Sequence, residues 1–393
     1  MISVAEAKHI IANNTSQLPP AAVPLLQAAG HTLAKEVCAI ADIPAFEQSS
    51  MDGYAIKFAD RFEELIIRGE MAAGADKALE LGHAPTAIRI FTGAPLPVGA
   101  DTVIMQEKVR VENNRLILLD DKMQQGNHVR NKGSEIKAGQ KAVAKGTLLT
   151  PAAIGFLAGI GIVNVMIIPD PVVTIIITGN ELTEPGFELH YGQVYESNSY
   201  SLQAALRKIA ITPRKIVKAE DSPAILHSAL TDALENSDVI LLTGGVSVGD
   251  HDHVTAVAAA CGVKQLLHKI KQRPGKPLYV GKMGNKLVFG LPGNPSSVLT
   301  CFYEYVLPVL EFMGTRKNSG TVIRAALGAD HRKPAGLTHF LKGYYEEGIA
   351  TPLQAQESFR LSSFAQSNCL ILLEEERTDY LQGETVEVHL LPV

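Results

Sequence analysis

Apolar positions recur with two different periods along this 393-residue chain, and the changes of period divide it. Val4, Ala7, Ile10 and Ile11 fall at helical intervals, and Glu6 follows Ser3 at capping-box spacing, so the chain is predicted to begin with an amphipathic helix. From Ala41 to about Lys137 the texture changes. Short β-prone runs, among them Ile88 to Phe91 and Thr102 to Met105, alternate with Gly, Pro and Asp-Gly punctuation and read as a small β-rich insertion. Residues Pro151 to Ile168 return to helix-like and then strand-like stretches, and Pro169-Asp170-Pro171 marks a break before an extended run, Val172 to Ile177. Strands and helices then alternate: Ser201 to Ala210 helical, Ile211 to Val217 extended, Ala224 to Leu234 helical, Val239 to Leu242 extended, His253 to Ala260 helical. That alternation predicts α/β architecture with a parallel sheet covered on both faces, its working edge at the carboxyl ends of the strands. After Asn318 short extended segments return, ending in Thr385 to Leu391, and predict a small all-β domain.

Length supports this division, because a single hydrophobic core stops growing at roughly 250–300 residues. Hydrophobic residues at 46% and charged residues at 20% are ordinary for a folded chain and exclude disorder. A net charge of −5 argues against a dedicated nucleic-acid surface, so an anionic ligand must be caught locally. Cys38, Cys261, Cys301 and Cys369 are scattered without C-x-x-C spacing, which predicts neither a disulfide framework nor a structural zinc site and fits a reducing cytoplasm. No basic region followed by an apolar core opens the chain, and no apolar run is long enough to span a bilayer.

Candidate chemistry concentrates where predicted strands end. Thr243-Gly244-Gly245-Val246-Ser247-Val248-Gly249-Asp250 follows the run ending at Leu242, and its glycines let backbone N–H groups approach a phosphate or a pterin beside a helix start. It is not a P-loop, since no Gly-Lys-Ser/Thr follows, and the same residues also make a plain tight turn. Asp250-His251-Asp252-His253 extends it with alternating metal-ligand types, of which the carboxylate of Asp252 suits magnesium better than the imidazoles do. In Leu291-Pro292-Gly293-Asn294-Pro295-Ser296-Ser297, Asn294 is a suitable N-cap and Pro295 a suitable first helical residue. The Ser296 and Ser297 amides would then form a second anion seat. Arg273 and Lys276 flank Pro274-Gly275 before a strand, and Arg130, Lys132 and Lys137 surround the turn at Gly133-Ser134-Glu135. Either set can offset anionic charge, although single basic residues are most often solvated. Glu181 follows Thr178-Gly179-Asn180 at another strand end, and Asp52 and Thr92 sit in turn-forming strings of the β-rich insertion.

Taken together, the strings SSMDGYA at Ser49, TGAPLPVGADTVIMQE at Thr92, TGNEL at Thr178, ESNSY at Glu196, TGGVSVGDHDH at Thr243, RPGKPLYVG at Arg273 and LPGNPSS at Leu291 closely resemble the molybdopterin molybdenumtransferases, the MoeA family that includes the gephyrin E domain. Seven blocks in register cover nearly the whole chain. The resemblance implies four domains: a segment-swapped N-terminal domain of residues 1–40 and 138–168, a β-rich insertion of 41–137, an α/β molybdopterin-binding domain of 169–316, and a C-terminal β-barrel of 317–393. It implies a cytoplasmic homodimer that takes molybdopterin-AMP and molybdate to molybdenum cofactor and AMP with Mg2+. It further implies a possible exchange of substrate with a molybdopterin adenylyltransferase, and neither nucleic acid nor membrane as partner. Carried onto matching positions, Asp52, Thr92, Glu181, Asp221 and Asp252 become the catalytic candidates, with Glu181 and Asp252 as metal ligands and the partner subunit's Asp52 and Thr92 completing the cleft. Gly244, Gly245, Ser247, Pro292, Gly293, Asn294, Pro295 and Ser296 become the cradle for pterin phosphate or AMP, and Arg273 and Lys276 its countercharges. This chain departs from the family pattern at Arg273, Glu135 and His253, where lysine, aspartate and tyrosine are expected. Each swap affects anion geometry more than charge, because arginine binds as a planar fork and lysine as a point charge. A gephyrin-like scaffold or molybdopterin carrier is the alternative from a different functional class. A nucleotide-processing enzyme such as the adenylyltransferase itself is disfavoured by the β-rich insertion and the C-terminal β domain.

Overall fold

A computed structural model describes residues 1–245, 253–314 and 320–392. They form two compact units, one of residues 1–21 and 168–393, the other of residues 22–167. The first helix, α1 (Val4–Asn14), carries the predicted capping box: the Ser3 hydroxyl accepts from the Glu6 amide, and the Glu6 carboxylate accepts from the Ser3 amide at 2.8 Å. Its buried stripe of Val4, Ala7 and Ile11 joins the core of the 168–393 unit, and Leu18 N–H donates to the Met313 carbonyl. The opening segment therefore separates from residues 22–40, with which the sequence reading groups it, because its apolar face is completed by residues distant in sequence.

In the 22–167 unit six strands form a twisted sheet: β1 (Gly53–Ile56), β2 (Leu65–Met71), β3 (Thr86–Ile90), β4 (Thr102–Met105), β5 (Val109–Glu112) and β6 (Arg115–Leu118), in the order β4-β1-β3-β2-β6-β5. Only β2 and β3 run parallel. A separate apolar cluster gathers helix α2 (Pro151–Gly159) with Leu25, Leu33, Ile136 and Val165.

The second unit is built on another six-stranded sheet. Its elements are β7 (Val173–Thr178), α3 (Asn198–Lys208), β8 (Lys215–Ala219), α4 (Pro223–Asn236), β9 (Val239–Thr243), α5 (Val254–Ala260), β10 (Lys264–His268), β11 (Tyr279–Met283), β12 (Lys286–Leu291), α6 (Pro295–Cys301) and α7 (Leu307–Met313). Strand order is β8-β7-β9-β12-β11-β10. The first four strands are parallel, as the alternation predicts, and β11 and β10 add an antiparallel edge without helical crossovers. Alternate residues of each central strand feed opposite faces: Val239 and Leu241 pack with α1, α3, α6 and α7, whereas Ile240 and Leu242 pack with α4 and α5. Burial on both faces explains why these strands read as continuous apolar runs. A π-helical turn, Phe302–Val306, separates α6 from α7.

Five later strands, β13 (Val322–Leu327), β14 (Thr338–Glu346), β15 (Ile349–Pro352), β16 (Cys369–Leu373) and β17 (Thr385–Leu390), pair as β14-β15-β13-β17-β16 and return to β14. They close a five-stranded barrel with its own apolar interior. Phe340, Leu370 and Leu391 leave that interior and join the cluster beneath the α/β sheet.

Candidate functional site

Register assembles the site. Ile177 stands opposite Thr243, Thr243 opposite Leu291, and Thr178 opposite Ala219, so β7, β9, β12 and β8 release their loops along one sheet edge. There a cleft of about 1170 Å3 opens, lined by Glu181, Asp221, Gly244, Gly245, Arg273, Lys276, Pro292, Gly293, Asn294 and Pro295 of the predicted set. All belong to one compact unit. Ser247 and Asp252 lie outside the described residues.

Local packing explains several of these positions. Gly244 adopts φ +85°, and a Cβ there would come within 2.5 Å of the Thr178 carbonyl, so only glycine lets β9 turn this closely past β7. The Thr178 hydroxyl donates to the Thr243 carbonyl, tying the two strand ends together. Asn180 accepts from the Asp221 amide at 3.1 Å and holds the β8 loop beside the Glu181 loop. Glu196, buried, accepts from the Ser199 amide and hydroxyl at 2.8 and 2.6 Å, which fixes the start of α3 and gives the ESNSY string its structural meaning. From that start Asn198 donates to the Gly293 carbonyl; its side-chain oxygen and the Thr243 and Ser296 hydroxyls are buried with no partner among the described residues.

The second anion seat differs from expectation. Asn294 is the N-cap of α6 and Pro295 its first residue, yet the Asn294 side chain makes no cap and donates instead to the Ser358 hydroxyl. The Ser296 amide donates to the Ser358 carbonyl and the Ser297 amide to the Asn294 carbonyl, so neither N–H is open to a ligand. Ser296 is fully buried, whereas Ser297 lines the cleft. The cause is a barrel loop, whose Gln356, Glu357, Ser358 and Phe359 also line the cleft. Buried Lys342 shapes that loop by donating to the carbonyls of Ala355, Glu357 and Arg360. Nothing in the run Gln354 to Phe359 distinguishes it from ordinary polar loop sequence, which is why sequence reasoning misses it.

Arg273 and Lys276 are displayed by a turn containing a cis Arg273–Pro274 bond. Beside it, burial first and then the Lys333 and Arg273 charges push the His339 imidazole down to about 4, so this histidine adds no positive charge near neutral pH. In the other unit, Asp52 and Thr92 are brought together from separate turns: the Thr92 amide and hydroxyl both donate to one Asp52 oxygen at 2.8 Å. The backbone donor, the hydroxyl and the Arg89 charge hold the Asp52 carboxyl below its ordinary value. Lys132, one of the basic residues near Gly133, pairs with Asp42. Among the described residues, no cluster of three or more His, Cys, Asp or Glu side chains could hold a metal by itself, and no helix is long and apolar enough to cross a membrane.

A mostly parallel sheet carrying a glycine-lined cleft at its carboxyl edge, a β-rich module and a closed barrel define a multidomain α/β protein with a binding cleft for an anionic ligand. Matching family descriptions are the MoeA N-terminal region (domain I and II) over residues 2–161, the probable molybdopterin binding domain over 174–311, and the MoeA C-terminal region (domain IV) over 324–391. The chain is 32% identical over 93% of its length to a molybdopterin molybdenumtransferase of Haemophilus influenzae, covering 94% of that protein, and 33% identical over 100% of its length to one from a Nostoc species, again covering 94%. A crystal structure of a molybdopterin biosynthesis MoeA protein from Pyrococcus horikosii matches with a TM-score of 0.82 and 29% identity, covering 100% of this chain and 99% of that one. The chain belongs to the MoeA family of molybdopterin molybdenumtransferases, enzymes of molybdenum cofactor biosynthesis.

Proposed function

We propose that this chain takes molybdopterin-AMP and molybdate to molybdenum cofactor with release of AMP, as a cytoplasmic homodimer using Mg2+. The observation that carries this reading is the convergence of Glu181, Asp221, Gly244, Gly245, Arg273 and Lys276 on one cleft large enough for a pterin nucleotide. Gly244 and Gly245 let the backbone approach the phosphates, with Pro292, Gly293, Asn294 and Pro295 forming the opposing wall. Arg273 and Lys276 offset the charge of phosphate and molybdate; Arg273 does so as a fork, Lys276 as a point charge. The fit of the cation is chemical: Glu181 and Asp221 are hard oxygen donors, and Mg2+ typically takes one or two carboxylates together with substrate phosphates. Glu181 would hold it together with Asp252. When bound, the cation neutralises phosphate charge and stabilises the charge that develops on cleavage of the phosphoanhydride.

Glu181 and Asp252 position the cation or the attacking oxygen, Asp221 completes the acidic set, and the ionised Asp52, held by Thr92, serves the cleft from the partner subunit. The family resemblance and the order of its motifs support this assignment. The same sources support a domain division at about residues 41, 138, 169 and 317, with residues 1–40 and 138–168 forming one segment-swapped domain, and a molybdopterin adenylyltransferase as the donor of substrate.

The test is AMP release from molybdopterin-AMP by the purified chain, with and without molybdate and magnesium, coupled to activation of an apo-molybdoenzyme. Molybdate-dependent release with activation is expected. Tight binding of molybdopterin-AMP without release would replace the enzyme by a carrier or scaffold.

A further inference from the structure

Beneath the turn that carries Arg273 and Lys276 lies a buried polar relay. Gln272 is 1% exposed, and its side-chain nitrogen donates to the Pro274 carbonyl at 2.9 Å and to the Gly275 carbonyl at 3.4 Å. Its side-chain oxygen accepts from the hydroxyl of Tyr305, also 1% exposed. Burial, reinforced by Cys301 and Glu304, pushes that phenol well above its ordinary value and so favours the protonated, donating form. A carboxamide can flip, and here the flip is decided: the Pro274 and Gly275 carbonyls can only accept, which requires nitrogen on that side and leaves oxygen to accept from the Tyr305 hydroxyl. Gly275, at φ +91°, completes the contact, since a Cβ would lie 2.5 Å from the Cys301 sulfur and 2.7 Å from the Gln272 nitrogen. Tyr305 belongs to the π-helical turn between α6 and α7, and such turns recur at functional positions.

We propose that Tyr305 and Gln272 are positioning residues for oxyanion binding: the Tyr305 hydroxyl orients the Gln272 carboxamide, which holds the Arg273–Lys276 turn and so places both cations on the cleft. This rests on the reading of the cleft as a molybdate and phosphate site. Neither residue touches the ligand; both act through the turn. The relay also explains why residue 272 is an amide, since glutamate would set a carboxylate against two carbonyls and methionine would leave them without a donor.

The test uses the full chain and three variants: Tyr305→Phe, Gln272→Met and the double replacement. Amide hydrogen exchange is followed at Arg273, Gly275 and Lys276, the residues of 273–277 that carry an N–H, binding of molybdate alone is measured by calorimetry, and turnover is assayed where present. Each single variant is expected to exchange faster in the turn and to bind molybdate roughly 5- to 10-fold more weakly, the scale of one lost hydrogen bond, with the loss falling on the molybdate KM more than on kcat. The double variant separates positioning from stability. Pairing the two replacements removes the Tyr305 hydroxyl that Gln272→Met leaves unpaired, so part of the melting temperature lost in that single variant should return, while molybdate affinity stays reduced because the Pro274 and Gly275 carbonyls still lack their donor. Recovery of affinity together with stability would show a merely structural pair and overturn the proposal, as would unchanged exchange at residues 273–277 in a folded single variant. Absence of molybdate-dependent AMP release in the unaltered chain would overturn the functional reading instead, and the exchange measurement would still decide whether the relay holds the turn.

Discussion

Gly244 and Asp52 set different kinds of residue-scale demand. At Gly244 the demand is steric, because a methyl group meets the Thr178 carbonyl in a backbone conformation that L-residues rarely adopt. Gly244→Ala should therefore destabilise the fold by about 1–3 kcal/mol and weaken nucleotide binding, both measurable by denaturant unfolding and ligand titration. Asp52 is held by electrostatics rather than packing. Its depressed carboxyl value means that the interaction with Thr92 is present above the ordinary aspartate value of 3.8 and is lost as pH falls through the lower folded value. Thr92→Val removes the hydroxyl and leaves the amide; the Asp52 midpoint, followed by carboxyl carbon NMR, should then move upward. An unmoved midpoint would remove the hydroxyl from the account. Both residues stand inside strings that sequence alone singles out, yet their pairing across forty positions is invisible there, since turn chemistry gives residue preference but not which turns meet.

Single elements were more legible than their junctions. The capping box at Ser3 and the extents of β4 and β9 follow from local pattern, because each depends on neighbours in sequence. The antiparallel edge of β10 and β11, the π-turn and the barrel loop at Gln356 depend on distant packing and leave no periodic signal. The π-turn also carries Glu304, buried and bonded to Lys8 of α1 and to His389 of β17, both at 2.6 Å. Burial alone would raise the Glu304 carboxyl, but the His389 hydrogen bond and the Lys8 charge overcome it and hold it below 4.5. Burial alone would lower His389, but Glu304, with help from Glu387 on the other ring nitrogen, raises it above 6.5. The signs therefore differ at the two ends of the pH range. The Glu304 contribution is lost as pH falls through its depressed folded value, and the His389 contribution as pH rises through its elevated one, so the network is strongest between about 4.5 and 6.5. Glu304→Gln should cost about 3–5 kcal/mol near pH 6 by leaving two cations without their buried partner. His389→Gln should flatten the alkaline decline in unfolding free energy; an equally steep decline would assign it to other groups.

At the scale of the molecule, the larger unit has no clean internal boundary. Its main apolar cluster runs from α1 through the sheet to Phe340, Phe364 and Leu391. The match to a separate C-terminal family region therefore marks an evolutionary unit rather than an independently stable one. Removing residues 320–393 should yield a chain that exposes this cluster and aggregates. In the intact chain, calorimetry should show the α/β sheet and barrel melting in one transition; two resolved transitions for them would contradict shared stability. Fold class was legible because strand and helix periods survive in sequence, whereas this sharing was not, since apolar residues do not announce which layer they join.

The place of α1 in that cluster also has a temporal side. Its helix is synthesised well ahead of partners such as Ile270, Leu278 and Tyr305, which follow some hundreds of residues later. At about 5–20 residues per second the segment waits roughly 15–60 s with an apolar stripe uncovered. For that interval the growing chain holds the Val4, Ala7 and Ile11 stripe open to whatever else in the cell binds apolar helices.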